Sequence, residues 1–366
     1  MDEQHFLRSR ATAWSLLQTG RTDQASRIVG DLLTVRPDDA VLHFLRAKTE
    51  RLAGRLDEAE RSAAVAAAAP QTHAVGLALH AQIILDRKDL RRAEEVERLL
   101  SASIAADPRQ WGPYVLRVHS FAMQQRFTEF ADAAEQALTV LPDAPQDAAK
   151  ALMNVATLYG WCATKHRRRR REFRERAATL ARRAVQLGPG DAWIWMQRAR
   201  IALFHGSDPR AAVFVLRGLR LNPAQPQAAE LLDIAVARVL ALAVGVVFAF
   251  SLLVGVIEFV PAIPDELGGR IVSGVRTGLC VTLLLVVAWL FRSPDLFGSA
   301  WRRVRRHARF WVAAGFTVAA AVSFAVLGLW ADMTGVAGFI GHALLAAAIG
   351  ALRGHEYRAR ARLGTS

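Results

Sequence analysis

The chain has 366 residues, enough for two or three domains, with 52% hydrophobic residues, mean hydropathy +0.18 and a formal net charge of +14. A basic balance of this size points to nucleic acid, anionic lipid or an acidic partner, and the location of the charge must decide among them. The two cysteines, Cys162 and Cys280, form no CxxC or Cys/His spacing, which excludes a zinc site or a disulfide framework. The first residues, MDEQHFLRSR, are charged and lack an apolar core, so no cleaved signal peptide is expected there.

Residues 1–230 read as helix pairs of nearly constant length. The first begins near Phe6, with Ala13 at a small position, Gly20 in the turn, Ala25 and Val29 on the second helix and Pro37 at the end. The second begins near Ala40 and carries Ala47, Gly54, Leu56, Ala59, Ala63, Ala66 and Pro70. The third begins near Ala74, with Ala81, Leu90, Ala93 and Pro108. The fourth begins near Trp111, with Tyr114, Phe121, Phe127, Ala134, Ala137 and Pro142, and it departs from the pattern at Phe130, where Ala is expected. The fifth begins near Ala149, with Ala156 and Tyr159, then Ala177, Ala181, Ala184 and Pro189. The sixth, Ala192–Pro223, is the most complete. Trp195, Ala199 and Ala202 mark one helix face, His205-Gly206-Ser207-Asp208 the turn, Ala211, Val215, Gly218 and Leu219 the facing stripe, and Asn222-Pro223 the end. Small residues at the contact let two helices approach closely. A final helix from Gln225 to about Arg238 would cap the stack.

This pattern resembles the tetratricopeptide repeat, a helix–turn–helix unit of about 34 residues with small residues and Pro at fixed offsets. The resemblance covers residues 6–223. It implies an all-α, superhelical solenoid of about six repeats over 1–230, with no chemistry of its own, that binds a protein or peptide in a concave groove. The groove of such arrays is lined by the first helix of each repeat. Carried over, those offsets give Arg10, Trp14, Lys48, Arg51, Gln82, His119, Met123, Trp161, Arg200 and Phe204. The mixture of cations and aromatics is that of binding hot spots and implies an extended partner with acidic and apolar side chains. The Lys and Asn offsets of a clamp for a peptide C-terminus do not recur.

One stretch interrupts the pattern. Lys165-His166 is followed by Arg167, Arg168, Arg169, Arg170 and Arg171, placed between the two helices of the fifth pair and accounting for most of its excess length. Five consecutive Arg cannot be packed without counter-charges, so a solvated loop or helix start is expected there. Phosphate contact is its functional reading, with anionic lipid favoured over nucleic acid because nothing else in the chain looks like a nucleic-acid module.

Beyond 231 the composition changes. Four apolar runs, 239–260, 271–291, 310–330 and 336–352, hold 22, 21, 21 and 17 residues, against about 20 needed to span a bilayer. They predict a bundle of about four transmembrane helices over 231–352. Basic segments (Arg238; the 292–309 connection; the 353–366 tail) alternate with neutral or acidic ones (Asp265, Glu266; Asp332). The positive-inside rule then places the repeats, the central connection and the tail in the cytoplasm, at the plasma membrane. Ser293-Pro294 opens a basic amphipathic helix over 293–309, whose Arg302, Arg303, Arg305, Arg306 and Arg309 suit an anionic lipid surface. Gly335, Gly338, Gly341, Ala346 and Gly350 suit close helix packing or self-association as a homo-oligomer.

No nucleotide-binding loop, HExxH, GxSxG or dinucleotide fingerprint occurs, so neither an enzyme nor a cofactor or metal is expected. Glu258, Arg276 and His342 are the ionisable groups in or beside the apolar runs. They leave open a small transporter or channel regulated by the repeats. The reading the sequence favours is a bacterial, membrane-anchored scaffold that recruits a cytoplasmic partner.

Overall fold

The computed structural model describes residues 2–205 and 210–223, together with 228, 230–232, 234 and 235. Every regular element among them is helical. The chain divides into two compact units, Met1–Pro189 and Gly190–Ser366.

The first unit holds ten helices: α1 (Glu3–Gln18), α2 (Thr22–Val35), α3 (Ala40–Leu52), α4 (Leu56–Ala68), α5 (His73–Asp86), α6 (Ala93–Ala106), α7 (Trp111–Met123), α8 (Phe127–Thr139), α9 (Pro145–Lys165) and α10 (Arg170–Leu187). Each packs against the next, so the unit is a run of antiparallel pairs. The second unit begins with α11 (Ala192–Arg200), continued by a π turn over Ile201–His205, and α12 (Ala211–Leu221). The pairs begin at Glu3, Ala40, His73, Trp111, Pro145 and Ala192, within four residues of the starts read from sequence. The sixth falls in the second unit. Residues 206–208 of its turn lie outside the described residues, as do the four apolar runs, the 293–309 segment with its five Arg, and the 353–366 tail. In the proposed capping helix, residues 228, 230–232, 234 and 235 are helical, and Ala228, Leu231, Leu232, Ile234 and Ala235 are buried. Among the described residues no helix is long and apolar enough to cross a membrane.

The small positions are what hold the pairs close. Ala13, Ala25, Ala47, Ala59, Ala63, Ala66, Ala81, Ala134, Ala156, Ala177, Ala184 and Ala199 are fully buried. Phe44, Leu79 and Ile83 fill the space that Ala47, Ala59, Ala63 and Ala66 leave between α3, α4 and α5. In the sixth pair a Cβ on Gly218 would lie 2.9 Å from the Met196 Cε and 3.2 Å from the Ala192 carbonyl oxygen, so α12 needs glycine to sit this near α11.

One turn recurs in the first four pairs. Gly20 and Gly54 follow α1 and α3 at φ +75° and +78°, and Lys88 and Gln125 occupy the same place after α5 and α7 at φ 58°. The Gly20 amide donates to the Leu17 carbonyl and the Arg21 amide to Leu16, the paired bonds of a Schellman cap. Gly54 and Arg55 repeat them on Arg51 and Glu50, and Gln125 and Arg126 repeat them on Ala122 and Phe121. The next helix starts two residues after the left-handed position in the first, second and fourth pairs, and in the third a 3-10 turn over Leu90–Arg92 leads into α6. A single backbone device thus reverses the chain in these four pairs, whether or not glycine is present.

The fourth and fifth pairs depart from the others, and the fifth corrects where its extra length lies. Its extra length lies in its helices: α9 has 21 residues and α10 has 18, against 13 each for α7 and α8. Only His166–Arg169 separates them, so the Arg run does not account for the excess; Arg167–Arg169 lie in this short connection, and Arg170 and Arg171 form the helix start. Phe130, which breaks the small-residue pattern, is fully buried. It stacks edge-on against Tyr159 and Phe173, and Phe127 and His166 extend the cluster. Large residues on three helices replace the alanine contact used elsewhere.

Candidate interaction surface

Curvature follows from unequal contact on the two sides of the array. The odd-numbered helices touch one another in succession: α1 with α3, α3 with α5, α5 with α7 and α7 with α9. The even-numbered helices make no comparable contacts among themselves. Among α1 to α10 the odd helices therefore form the tighter, inner side, and they carry eight of the ten residues named from sequence.

At the N-terminal end of that side, Trp14 on α1 is 42% exposed and lies parallel to Phe44 on α3, with ring centroids 6.3 Å apart. The Lys48 ammonium sits over both rings, 4.6 Å from the Trp14 centroid and 4.9 Å from that of Phe44. Attraction to the ring faces holds the cation there. Lys48 is half-buried, and no carboxylate pairs with it among the described residues. Its pKa is lowered, first by burial and then by the neighbouring Arg51 cation. Arg51 reaches across to α5, where its Nη1 donates to Asp86 Oδ2 at 2.7 Å. The Asp86 charge acts in turn on His119 of α7, whose pKa burial nevertheless lowers. Trp14, Lys48 and Arg51 thus form one connected surface over α1, α3 and α5, with His119 of α7 within reach of the Asp86 charge.

The remaining positions are placed differently. Arg10 is tied to Asp39, at 3.7 Å, beside the start of α3. Met123 packs beneath the surface against Ala81, Ile84, Leu85, Val96 and Leu100. Gln82 is half-buried one turn before Asp86. Trp161 is half-buried, with the Lys165 ammonium 5.7 Å from its ring centroid. Arg200 and Phe204 belong to the second unit; both are half-buried, and burial lowers the Arg200 pKa. Two members of the surface went unnamed in the sequence reading. Phe44 lies one turn before Lys48, and Asp86 one turn after Gln82. Extending each offset by four residues along its helix would have found both.

The Arg run divides. Arg169 is bound bidentately by Glu172 and lies 4.9 Å over the Phe173 ring. Arg170 donates to the Ala163 carbonyl at 3.3 Å, and Arg171 pairs with Glu175 at 2.8 Å. Arg167 and Arg168 are exposed, with no ion pair among the described residues. No group of three or more potential metal ligands occurs among the described residues.

No family model matches the chain, and no curated protein matches it. Solved structures do. A tetratricopeptide repeat protein from Parabacteroides merdae is 12% identical over 64% of this chain and 86% of its own, with a TM-score of 0.49. A chain of the APC/C hetero-tetramer Cut9-Hcn1 is 15% identical over 63% of this chain, with a TM-score of 0.46, and only 42% of its length is spanned. PilF of Pseudomonas aeruginosa is 18% identical over 61% of this chain and 94% of its own, with a TM-score of 0.41.

Proposed function

We propose that this chain is a membrane-anchored interaction scaffold whose inner face binds an extended protein segment bearing acidic and apolar side chains. The observation that carries this reading is Lys48: a half-buried cation held by two aromatic rings, with no carboxylate beside it among the described residues and an exposed tryptophan at its edge. Such a group is costly to keep in a fold for stability alone. A carboxylate from a partner would supply the missing charge while an apolar neighbour covers Trp14. The Arg51–Asp86 pair next to it sets the geometry of the adjacent position.

Anchoring is supported by the four apolar runs between 239 and 352, which are long enough to span a bilayer, and by the alternation of charge between them. A tether of this kind acts by confinement, raising the effective concentration of whatever the array binds near the membrane.

The test is selection from a random peptide library by the full chain in detergent. The parent should select peptides with Asp or Glu next to a bulky apolar residue. Lys48→Met should weaken the selected peptide by about tenfold, and Lys48→Arg should keep the preference. A selection without acidic residues, or one unchanged in Lys48→Met, contradicts the assignment.

A further inference from the structure

The segment from Lys165 to Arg183 carries ten cations against two carboxylates, Glu172 and Glu175. Helix α10 turns Phe173, Ala177, Leu180, Ala181 and Ala184 into the core. Its opposite side exposes Arg171, Glu175, Ala178, Thr179 and Arg182, flanked by Arg174 on one edge and Arg183 on the other. Arg167 and Arg168 extend this face at the start of the helix. Some of the charge is spent internally: Arg169 and Arg171 on the two glutamates, and Arg176 on Glu135 at 3.3 Å. Arg167, Arg168, Arg174 and Arg183 have no carboxylate partner among the described residues, and Arg182 bonds the Ala178 carbonyl and the Thr179 hydroxyl. Five guanidinium groups without a carboxylate partner therefore stand on one exposed face, where Ala178 and Thr179 leave room for a flat surface to approach and the Glu175 carboxylate is taken up by Arg171.

We infer that this outer face of α10 binds the phosphate headgroups of an anionic bilayer. The inference rests on the membrane reading of residues 239–352, which puts phospholipid next to every copy of the chain. Guanidinium groups match phosphate geometrically as well as electrostatically. No exposed aromatic residue lies on the face, and Phe173 is buried, so the stacking platform that single-stranded nucleic acid uses is missing. No large apolar side chain projects from its centre either. Contact is at headgroup depth, without insertion, and screening by salt should release it.

The experiment uses the full chain, carrying Ala178→Cys with a donor fluorophore in a Cys280→Ser background, reconstituted in lipid discs that contain acceptor-labelled lipid. Energy transfer from position 178 should be higher in phosphatidylcholine discs containing phosphatidylglycerol than in phosphatidylcholine alone, and should fall with added salt. Replacing Arg167, Arg168, Arg174 and Arg183 by Ser should lower the docking equilibrium about fivefold for each Arg removed. Circular dichroism should show the helices retained. Equal transfer in neutral and anionic discs overturns the proposal, as does a fourfold variant that docks like the parent. Saturable binding of duplex DNA or single-stranded RNA to this face, with no response to phosphatidylglycerol, overturns it in favour of nucleic acid. Recovery of the chain with neutral discs tests anchoring separately. A chain that stays out of them refutes the reading of the apolar runs, while transfer to added anionic vesicles still decides the α10 face.

Discussion

Phe130 stands edge-on to Tyr159, their ring centroids 4.8 Å apart and their planes at 75°. The position is one where the other pairs use a small residue, and the ring fills the space between α8, α9 and α10 that longer helices leave open. Phe130→Ala restores the repeat pattern yet empties this space. It should destabilise the array by roughly 3–5 kcal/mol, read from chemical unfolding monitored by circular dichroism. A loss below about 1 kcal/mol would mean that the three helices close over the gap.

The left-handed residue of the recurring turn offers a second test. A side chain in that conformation costs about 1–2 kcal/mol, partly offset by the extra freedom glycine has when unfolded, about 0.4–1 kcal/mol. Lys88→Gly and Gln125→Gly should each raise stability by about 0.5–1 kcal/mol, and Gly54→Ala should lower it by a similar amount. The opposite sign at both positions would show that the Lys88 or Gln125 side chain makes a compensating contact.

Two helical glycines should answer oppositely to alanine. A Cβ on Gly76 would lie 2.6 Å from the Ala67 amide nitrogen and 2.7 Å from its Cα, atoms of the α4 backbone that cannot swing aside. On Gly30, exposed in α2, a Cβ meets nothing within 4 Å. Gly76→Ala should cost about 1–3 kcal/mol through forced separation of α4 and α5. Gly30→Ala should gain about 0.5–1 kcal/mol from helix propensity. Equal effects in thermal unfolding would contradict the close approach at Gly76.

Acid sensitivity should trace to Arg92. It bridges Glu60 at 2.6 Å and Glu95 at 2.7 Å, while His80 lies 3.3 Å from Glu60. Hydrogen bonding to Arg92 holds both carboxyl pKa values below the ordinary glutamate value of 4.5. A folded-state value below the unfolded one gives stability that is complete above about pH 4.5 and is lost as pH falls through the folded value. Arg92→Met should therefore lower stability at neutral pH and flatten its decline below pH 4.5, as measured by urea midpoints across the acid range. An acid limb identical to the parent's would remove this cluster as its cause.

The period of small residues made the pairs readable from sequence, because burying two helices at close distance demands Ala or Gly at one place in every pair. Gly20 and Gly54 likewise betrayed the turn. Lys88 and Gln125 did not, since the backbone adopts the same conformation there at a cost that residue identity does not announce. The Arg run misled for a related reason. Arg169 and Arg170 are held by Glu172, Phe173 and the Ala163 carbonyl, partners that appear only once α9 and α10 are seen to be longer than their neighbours. The offsets named Trp14, Lys48, Arg51 and His119, which the structure places on the odd helices. They missed Phe44 and Asp86, which complete the surface from one helical turn away.

On the proposed function, a partner binds the inner face of the odd helices. The most direct measurement is photo-crosslinking in cells from position 14, on that face, against position 61, whose Arg side chain is 75% exposed on α4. A discrete adduct from position 14 alone, abolished by Lys48→Met with the chain still folded, is the predicted result. The same adducts from both positions, or an adduct from position 14 indifferent to Lys48, would contradict it.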